Sequence, residues 1–287
     1  MTDTTAGMRG ALRQAMTVVV MPLAGEPALG ECLKAVSAQA DIVVIARPEP
    51  GPEDQSVPAR RLRALKAAKT DLVAFLEDTC IPDPGWYAAI HDAFENPEAA
   101  AVGGPVEISR LLPARFRALG ICEYARFQAS RLPTAGDPVR VGSLAGANFA
   151  VRKSAIGDVT SATDMVDNAM FASLRARGPV LMDRKASVTY AAQDRHGARL
   201  STRYHHGRIY GGGQFAGKPL MLRLALAART VAVPAVLTIR SFRDAPGWLW
   251  RAPQVMLWIM MMHGRWGVGE FLGIATGRIG RSLKEWT

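Results

Sequence analysis

The chain has 287 residues, of which 49% are hydrophobic and 21% are charged. This composition is typical of a globular protein and excludes a largely disordered one. The formal net charge of +10 points to an anionic partner: nucleic acid, an anionic membrane surface or a phosphorylated ligand. The three cysteines, Cys32, Cys80 and Cys122, are far apart. They indicate neither a disulfide framework nor a cysteine zinc site, and a reducing compartment is expected.

Residues 1–15 are polar and mixed in charge, and we expect a disordered lead-in there. They lack the apolar core of a secretory signal, so the sequence predicts a domain that faces the cytoplasm. The abundance of alanine and arginine suggests a bacterial source.

The following segment alternates between apolar, β-branched runs and helical patterns. Buried strands are predicted at Thr17–Met21, Asp41–Ala46 and Asp71–Leu76. Helices are predicted between them at Leu29–Gln39 and Ala59–Lys69. This order predicts a parallel sheet with crossover helices, and therefore an α/β fold.

Two carboxylates, Glu77 and Asp78, follow the third predicted strand directly. Ligands of parallel sheets bind beyond the carboxyl ends of the strands. A divalent cation held by one or two carboxylates can neutralise a diphosphate, so the pair predicts a diphosphate site with Mg²⁺ or Mn²⁺. The alternative is a solvated acidic turn, and the position after a buried strand favours the site.

Further along the chain the alternation continues. The patterns predict a helix at Tyr87–Phe94, a strand at Ala100–Gly104, an amphipathic stretch at Arg110–Arg131, a helix at Asp164–Arg177 and a strand at Val180–Tyr190.

The C-terminal segment, residues 218–287, differs in character. It carries ten Lys or Arg against three Asp or Glu, which is +7 of the total charge. Its apolar stretches, Pro219–Ile239 and Trp248–Gly277, are interrupted by charged residues, so neither is a clear spanning helix. Five of the six tryptophans lie here: Trp248, Trp250, Trp258, Trp266 and Trp286. Aromatic and basic residues of this kind favour a membrane surface. The alternative is a set of core helices, and two short spans or an interfacial hairpin both remain open.

In their order and spacing, five segments resemble the family 2 glycosyltransferases with the GT-A fold: Val18–Pro22, Gln39, Val73–Trp86, Ala101–Val106 and Leu144–Ile156. The resemblance covers roughly residues 16–215. It implies a Rossmann-like, mostly parallel central sheet with flanking helices in a GT-A nucleotide-sugar domain, residues 16–217. The hydrophobic, basic, helical tail at 218–287 would follow it.

The resemblance implies that Asp167 is the catalytic general base and that Glu77 and Asp78 hold the metal. An acceptor hydroxyl needs such a base because it is a weak nucleophile until a carboxylate takes its proton. The alternative is that Asp167 only stabilises the start of a helix.

The resemblance also implies binding residues. Donor contacts fall on Pro22, Ala46, Arg47, Arg61, Glu77 and Asp78. Acceptor contacts fall on Asn148, Glu123 and Tyr124, for which a turn residue and a helix surface pair are the alternatives.

The basic, glycine-rich segment Arg203–Gly213 is expected to be a mobile loop. Its Arg203, His206 and Arg208 would close over the diphosphate, and its glycines would permit the movement. A basic linker that lies on lipid headgroups is the alternative.

Three positions depart from the family pattern. Ala46 and Arg47 stand where an Asp usually holds the nucleobase, Thr79 replaces the second Asp of Asp-x-Asp, and Val166 replaces the Glu before Asp167. The changes allow an active but divergent enzyme or a degenerate one. The retention of Asp167 and the Glu-Asp pair favours the enzyme.

The sequence therefore predicts an inverting glycosyltransferase at the cytoplasmic face of the inner membrane. It would move a sugar from a nucleotide-diphosphate sugar to a membrane-lipid or lipid-linked glycan acceptor, in cell-surface polysaccharide or glycolipid synthesis. The alternative is a degenerate scaffold that partners an active membrane enzyme. No nucleic-acid-binding motif is present, so nucleic acid is not expected as a partner, and the oligomeric state remains open.

Overall fold

The computed structural model describes residues 14–48, 56–133, 136–191, 200–215, 217–244 and 253–278. Most of the predicted lead-in and the tryptophans Trp248, Trp250 and Trp286 lie outside these residues.

The strands and helices follow the predicted alternation. The strands are β1 (Met16–Met21), β2 (Ile42–Ile45), β3 (Leu72–Glu77), β4 (Cys80–Pro82), β5 (Ala101–Gly103), β6 (Val106–Ile108), β7 (Val139–Arg140), β8 (Asn148–Arg152), β9 (Val180–Met182) and β10 (Val188–Tyr190). The helices are α1 (Glu26–Ser37), α2 (Val57–Ala67), α3 (Trp86–Ala93), α4 (Ala114–Tyr124), α5 (Lys153–Ile156), α6 (Asp167–Arg175), α7 (Leu200–Phe215), α8 (Leu220–Arg229), α9 (Val233–Asp244) and α10 (Pro253–Thr276).

The chain divides into two compact units. The sheet unit comprises Met1–Pro22, Leu29–Glu107 and Leu132–Thr189, and the helical unit comprises Leu23–Ala28, Ile108–Arg131 and Tyr190–Thr287. These units are defined by contacts within the chain. The predicted boundary between a nucleotide-sugar domain at 16–217 and a tail at 218–287 therefore stays a prediction.

A seven-stranded sheet in the order β2-β1-β3-β8-β5-β9-β7 forms the centre of the sheet unit. β1 pairs in parallel with β2 and β3, and β9 pairs in parallel with β5. β8 runs antiparallel between β3 and β5, and β7 runs antiparallel to β9. The predicted mostly parallel α/β sheet is thus confirmed. Because β1 and β3 are parallel, with Met21 paired to Glu77, their carboxyl ends lie together at one edge.

The strands differ in burial as their positions in the sheet require. Every residue of β1 is buried, because neighbours flank it on both sides. The prediction of a buried second strand is wrong: β2 is the edge strand, and Ile42 and Val44 are 38% and 43% exposed. The prediction of one strand at Val180–Tyr190 is wrong as well. The segment forms two strands: β9 belongs to the seven-stranded sheet, and β10 belongs to a separate sheet with β4 and β6.

In the helical unit, glycines allow α7 and α10 to approach closely. A Cβ on Gly207 would lie 2.1 Å from the carbonyl oxygen of Trp266, and one on Gly269 would lie 1.9 Å from that of Tyr204. Gly211 and Gly273 repeat the arrangement one turn further on. Small residues four apart on both helices permit such backbone contact. The prediction of a loop at Arg203–Gly213 is wrong, because the segment belongs to helix α7 and its Gly207 and Gly211 pack on α10.

Substitution of Gly269 by alanine should destabilise the protein. The new methyl group would meet backbone atoms of α7, which cannot move aside easily, and overpacking of this kind costs about 1–3 kcal/mol. Thermal and denaturant unfolding followed by circular dichroism measures the effect.

Gly264→Ala is the matched control, because it lies on the same helix and its Cβ would meet nothing within 4 Å. It should be neutral or stabilise by up to about 1 kcal/mol, as alanine does in a helix interior. Equal loss of stability in both variants would contradict the packing role.

Candidate active site

The carboxylates of Glu77 and Asp167 come from distant parts of the chain and meet at one guanidinium. Glu77 is the last residue of β3, and Asp167 is the first residue of α6. Arg61 donates through Nη1 to Asp167 Oδ1 at 2.6 Å, and its Nη2 lies 3.5 Å from Glu77 Oε1. The structure therefore brings the predicted base and one predicted metal ligand to the same place.

Helix α2 holds Arg61 in this position. Its first turn is fixed by Ser56, whose hydroxyl accepts from the Ala59 amide at 3.3 Å, and by a proline just inside the helix. Ser, Pro and a helix start in this order are a favourable combination.

The surroundings of Arg61 leave Asp167 accessible. The Arg61 side chain is 4% exposed, whereas that of Asp167 is 46% exposed. Arg61 also donates through Nη2 to the carbonyl oxygen of Gly146 at 2.8 Å, and its Cζ lies 5.2 Å from the ring centroid of Phe149. A buried cation needs partners of this kind. Asp167 is thus held by Arg61 on one side and is open to solvent on the other.

Gly146 lies directly against the ion pair. A Cβ at this position would be 2.5 Å from Asp167 Oδ2 and 2.9 Å from Arg61 Nη2. The next residue, Ala147, accepts from the Glu77 amide at 3.2 Å. The absence of a side chain at 146 is therefore what lets the loop before β8 close on the carboxylates.

A second arginine, Arg60, donates hydrogen bonds to the backbone at the predicted donor edge. Its Nη1 donates to the carbonyl oxygens of Pro22 at 3.1 Å and Ala46 at 3.2 Å, beyond the ends of β1 and β2. Burial, together with the charge of Arg63, lowers the pKa of Arg60, while the carboxylates of Asp78 and Glu77 oppose that shift. Sequence reasoning missed Arg60. The feature that identifies Arg60 is its burial on helix α2, next to the ends of β1 and β2.

Asp78 lies deeper than Glu77. It is 2% exposed, and its amide donates to the Met21 carbonyl at 3.1 Å. The pKa of Cys32 is raised to about 12, mainly by burial of the thiol and in smaller part by the negative charge of Asp78. Predicted donor residue Arg47 is exposed beside this edge, just after β2.

The carboxylates fit a metal that arrives with a ligand. Among the described residues, no group of three His, Cys, Asp or Glu side chains could hold an ion alone. Mg²⁺ and similar cations commonly use one or two carboxylates and complete their coordination with substrate phosphates and water. Glu77 and Asp78 would supply that number of protein ligands.

Asn148 has a structural role instead of the predicted acceptor contact. It is fully buried, and its Oδ1 accepts from Trp86 Nε1 at 2.8 Å. Its Nδ2 donates to the carbonyl oxygens of Ala186 at 2.9 Å and Pro105 at 3.4 Å. The side chain amide is thus used within the core of the sheet unit.

The other predicted binding residues meet one another in the helical unit. Glu123, at the end of α4, forms an ion pair with Arg203 of α7, and His206 Nδ1 lies 3.6 Å from the same carboxylate oxygen. Arg203 also lies over the Trp266 ring, with its Cζ 4.6 Å from the centroid. The charge of Arg203 is therefore balanced within the helices. Arg203 and His206 lie on a helix and not in a loop, and a contact with the diphosphate stays a prediction.

Two more predicted residues lie in this unit. Arg208 is also on α7, and its Nη1 lies 3.5 Å from the Tyr204 hydroxyl, whereas Tyr124 packs on Tyr190 with ring centroids 5.5 Å apart. Arg208 thus belongs to a helix and not to a closing loop. An acceptor role for Glu123 or Tyr124 stays a prediction.

Solved structures share the fold of this chain. The mannosyltransferase PcManGT from Pyrobaculum calidifontis, solved with GDP-Man and Mn²⁺, matches with a TM-score of 0.51 and 12% identity, over 91% of this chain and 88% of that one. The chain has the GT-A fold. No protein-family model matches the sequence, and no curated protein matches it either.

Two further structures are less similar. GalNAc-T7, solved with UDP, GalNAc and Mn²⁺, matches with a TM-score of 0.45 and 12% identity. The match covers 68% of this chain but only 48% of GalNAc-T7, so this chain spans about half the length of that protein. Glucosyl-3-phosphoglycerate synthase from Mycobacterium tuberculosis, solved with Mn²⁺, UDP and glucosyl-3-phosphoglycerate, matches with a TM-score of 0.42 and 14% identity, over 69% of this chain and 80% of that one.

The Glu123 ion pair should make the free energy of unfolding fall at low pH. Burial would raise the pKa of Glu123, but Arg203 and His206 outweigh it and hold this pKa well below its usual value. A carboxyl group with a lowered folded-state pKa stabilises the protein above the unfolded value of about 4.3, and this contribution is lost as the pH falls. Denaturant unfolding from pH 6 downward should show Glu123→Gln losing less stability than the wild type below about pH 4.

The exposed Glu95 provides the control. Glu95→Gln should follow the acid dependence of the wild type. An unchanged acid dependence in Glu123→Gln would show that the ion pair does not stabilise the fold.

Proposed function

We propose that this chain is a glycosyltransferase that moves a sugar from a nucleotide-diphosphate sugar to an acceptor hydroxyl. The observation that carries the proposal is the convergence of Glu77 and Asp167 on Arg61. It occurs at the carboxyl ends of parallel strands, in the fold of a mannosyltransferase solved with GDP-Man and Mn²⁺. Ligands of open α/β sheets bind at such an edge.

The donor diphosphate would lie by Glu77, Asp78 and the arginines of α2. Arg60 and Arg61 supply positive charge at this edge. Mg²⁺ or Mn²⁺, held by Glu77, Asp78 and the donor phosphates, would neutralise the charge that develops on the leaving diphosphate. Preorganised charges in a site of this kind stabilise the transition state without reorganisation.

Asp167 would act as the general base of an inverting transfer. Its carboxylate takes the proton of the acceptor hydroxyl while the acceptor oxygen forms a bond to the anomeric carbon. The bond from that carbon to the donor oxygen breaks, and its electron pair leaves with the nucleoside diphosphate. The 46% exposure of the Asp167 side chain leaves room for an acceptor, and Arg61 keeps the carboxylate oriented.

The acceptor is proposed to be a membrane lipid or a lipid-linked glycan at the cytoplasmic face of the inner membrane of a bacterium. The support is the +7 charge of residues 218–287 and the helical stretch Leu220–Asp244. That stretch is long and apolar enough to cross a membrane by length and composition. A transferase held at lipid would serve cell-surface polysaccharide or glycolipid synthesis.

Substitution of Asp167 by asparagine should abolish transfer while donor binding remains. Asparagine keeps the size of the side chain but cannot accept the proton, and loss of a general base costs about 10²–10⁴-fold in rate. The rate is measured as nucleoside diphosphate release from a panel of nucleotide sugars with Mn²⁺ and membrane lipid extract. Donor binding is measured as a thermal shift of the same protein.

The matched control is Asp158→Asn, which removes a carboxylate from an exposed position of the same unit. It should keep wild-type turnover. If Asp167→Asn also kept it, the base assignment would be lost, and absence of any donor-dependent shift in the wild type would favour the degenerate scaffold.

A further inference from the structure

The helical stretch α8–α9 has its polar and apolar sides reversed relative to a helix that faces water. Among its exposed residues, Met221, Val231 and Ile239 are 77%, 79% and 65% exposed. Thr230 and Ser241 are instead 4% and 6% exposed. A surface helix of a water-soluble domain normally buries its apolar stripe and exposes its polar one.

The buried side of the stretch packs on α10. Ser241 Oγ lies 2.9 Å from His263 Nε2, and a Cβ on Gly267 would lie 2.8 Å from the ring of Pro234. Thr230 satisfies its hydroxyl by donating to the Ala227 carbonyl at 2.7 Å. Thr230 and Ser241 on the inner side therefore have partners, and among the described residues the apolar side chains of the outer side are left exposed.

Two arginines accompany the apolar face. Arg229 and Arg240 are exposed, and within the described ranges neither forms an ion pair with a carboxylate. They are eleven residues apart, with a 3-10 turn at Thr230–Ala232 between them. Arg243 differs because Asp244 pairs with it at 3.1 Å.

We propose that this face lies in the plane of an anionic bilayer, with the apolar side chains in the lipid and Arg229 and Arg240 at the phosphates. Long basic side chains can reach the headgroups while the apolar face enters the acyl region. The inference rests on the proposed function, because it places a transferase beside a lipid acceptor.

The position of Arg229 favours this arrangement over a crossing helix. It lies nine residues after Leu220, or about 14 Å along a helix, which is close to the middle of a hydrocarbon core about 30 Å thick. An unpaired arginine at that depth is strongly unfavourable. The charges of the same two arginines would also disfavour a second copy of this chain on the face, whereas they attract anionic lipid.

The depth of the face is measured with an environment-sensitive fluorophore on single cysteines in the full chain. The variants are Met221→Cys, Val231→Cys and Ile239→Cys, with Glu95→Cys of α3's C-terminal loop as the water-exposed control. Burial raises the pKa of the native thiols Cys32 and Cys122 to about 12, and that of Cys80 well above its usual value, so they react slowly near neutral pH.

On vesicles of phosphatidylglycerol and phosphatidylcholine, the three labels should be quenched alike by spin labels near the headgroups, and the Glu95 site should not be. Quenching of Val231 mainly by deep spin labels, with Met221 and Ile239 in opposite leaflets, would show a crossing helix and overturn the proposal. Absence of quenching at all three sites, or a dimer that buries them without lipid, would overturn it as well.

The charge requirement is tested separately. Arg229→Gln and Arg240→Gln should each weaken binding to these vesicles about five-fold, since a basic residue near an anionic surface contributes on this scale. The exposed Arg140 of β7 is the control, and Arg140→Gln should bind as the wild type does. Equal binding of all variants would refute the role of the two arginines.

Donor turnover with a water-soluble acceptor, measured in the same preparations, separates the two proposals. Turnover without lipid binding would refute only the docking face, whereas lipid binding without turnover would refute only the transferase.

Discussion

The guanidinium of Arg61 holds the candidate site together. It joins the end of β3, the start of α6 and the loop before β8, because it contacts Glu77, Asp167 and the Gly146 carbonyl at once. A cation with 4% of its side chain exposed would cost several kcal/mol without such partners. The site and the local fold therefore stabilise one another, and the carboxylates are in place before a ligand binds.

In the helical unit, close backbone contact between two helices adds to side-chain packing. Gly207 and Gly269 let α7 and α10 meet, and this contact places Arg203 within reach of both Glu123 and Trp266. Thr230 and Ser241 face inward with hydrogen-bond partners, and the unit leaves apolar residues such as Val231 on its outside. That distribution is what a lipid surface would require.

Local patterns in the sequence were enough to predict β1, β3 and the mostly parallel sheet, because buried strands have a strong apolar signal. The position of Glu77 followed from the strand it ends, and the position of Asp167 from the resemblance to a family. The edge position of β2 depends on strand order, which no local pattern contains. The glycines of α7 suggested a loop because their partners lie some sixty residues away on α10, and Asn148 became a core residue through contacts of the same long range.

The central claim, that the Arg61–Asp167 geometry enables sugar transfer, is tested most directly by Gly146→Ala compared with Gly142→Ala. The new methyl group at 146 would displace only the flexible ends of Asp167 and Arg61, whereas that at 142 would meet nothing within 4 Å. The account predicts that both variants fold cooperatively and keep a donor-induced thermal shift, with Gly146→Ala losing at most about 1–3 kcal/mol of stability because it shifts the Arg61–Asp167 pair. It also predicts that only Gly146→Ala loses transfer, by about a hundred-fold, since a misplacement of about 1 Å can cost that much. Full transfer by Gly146→Ala would contradict the account.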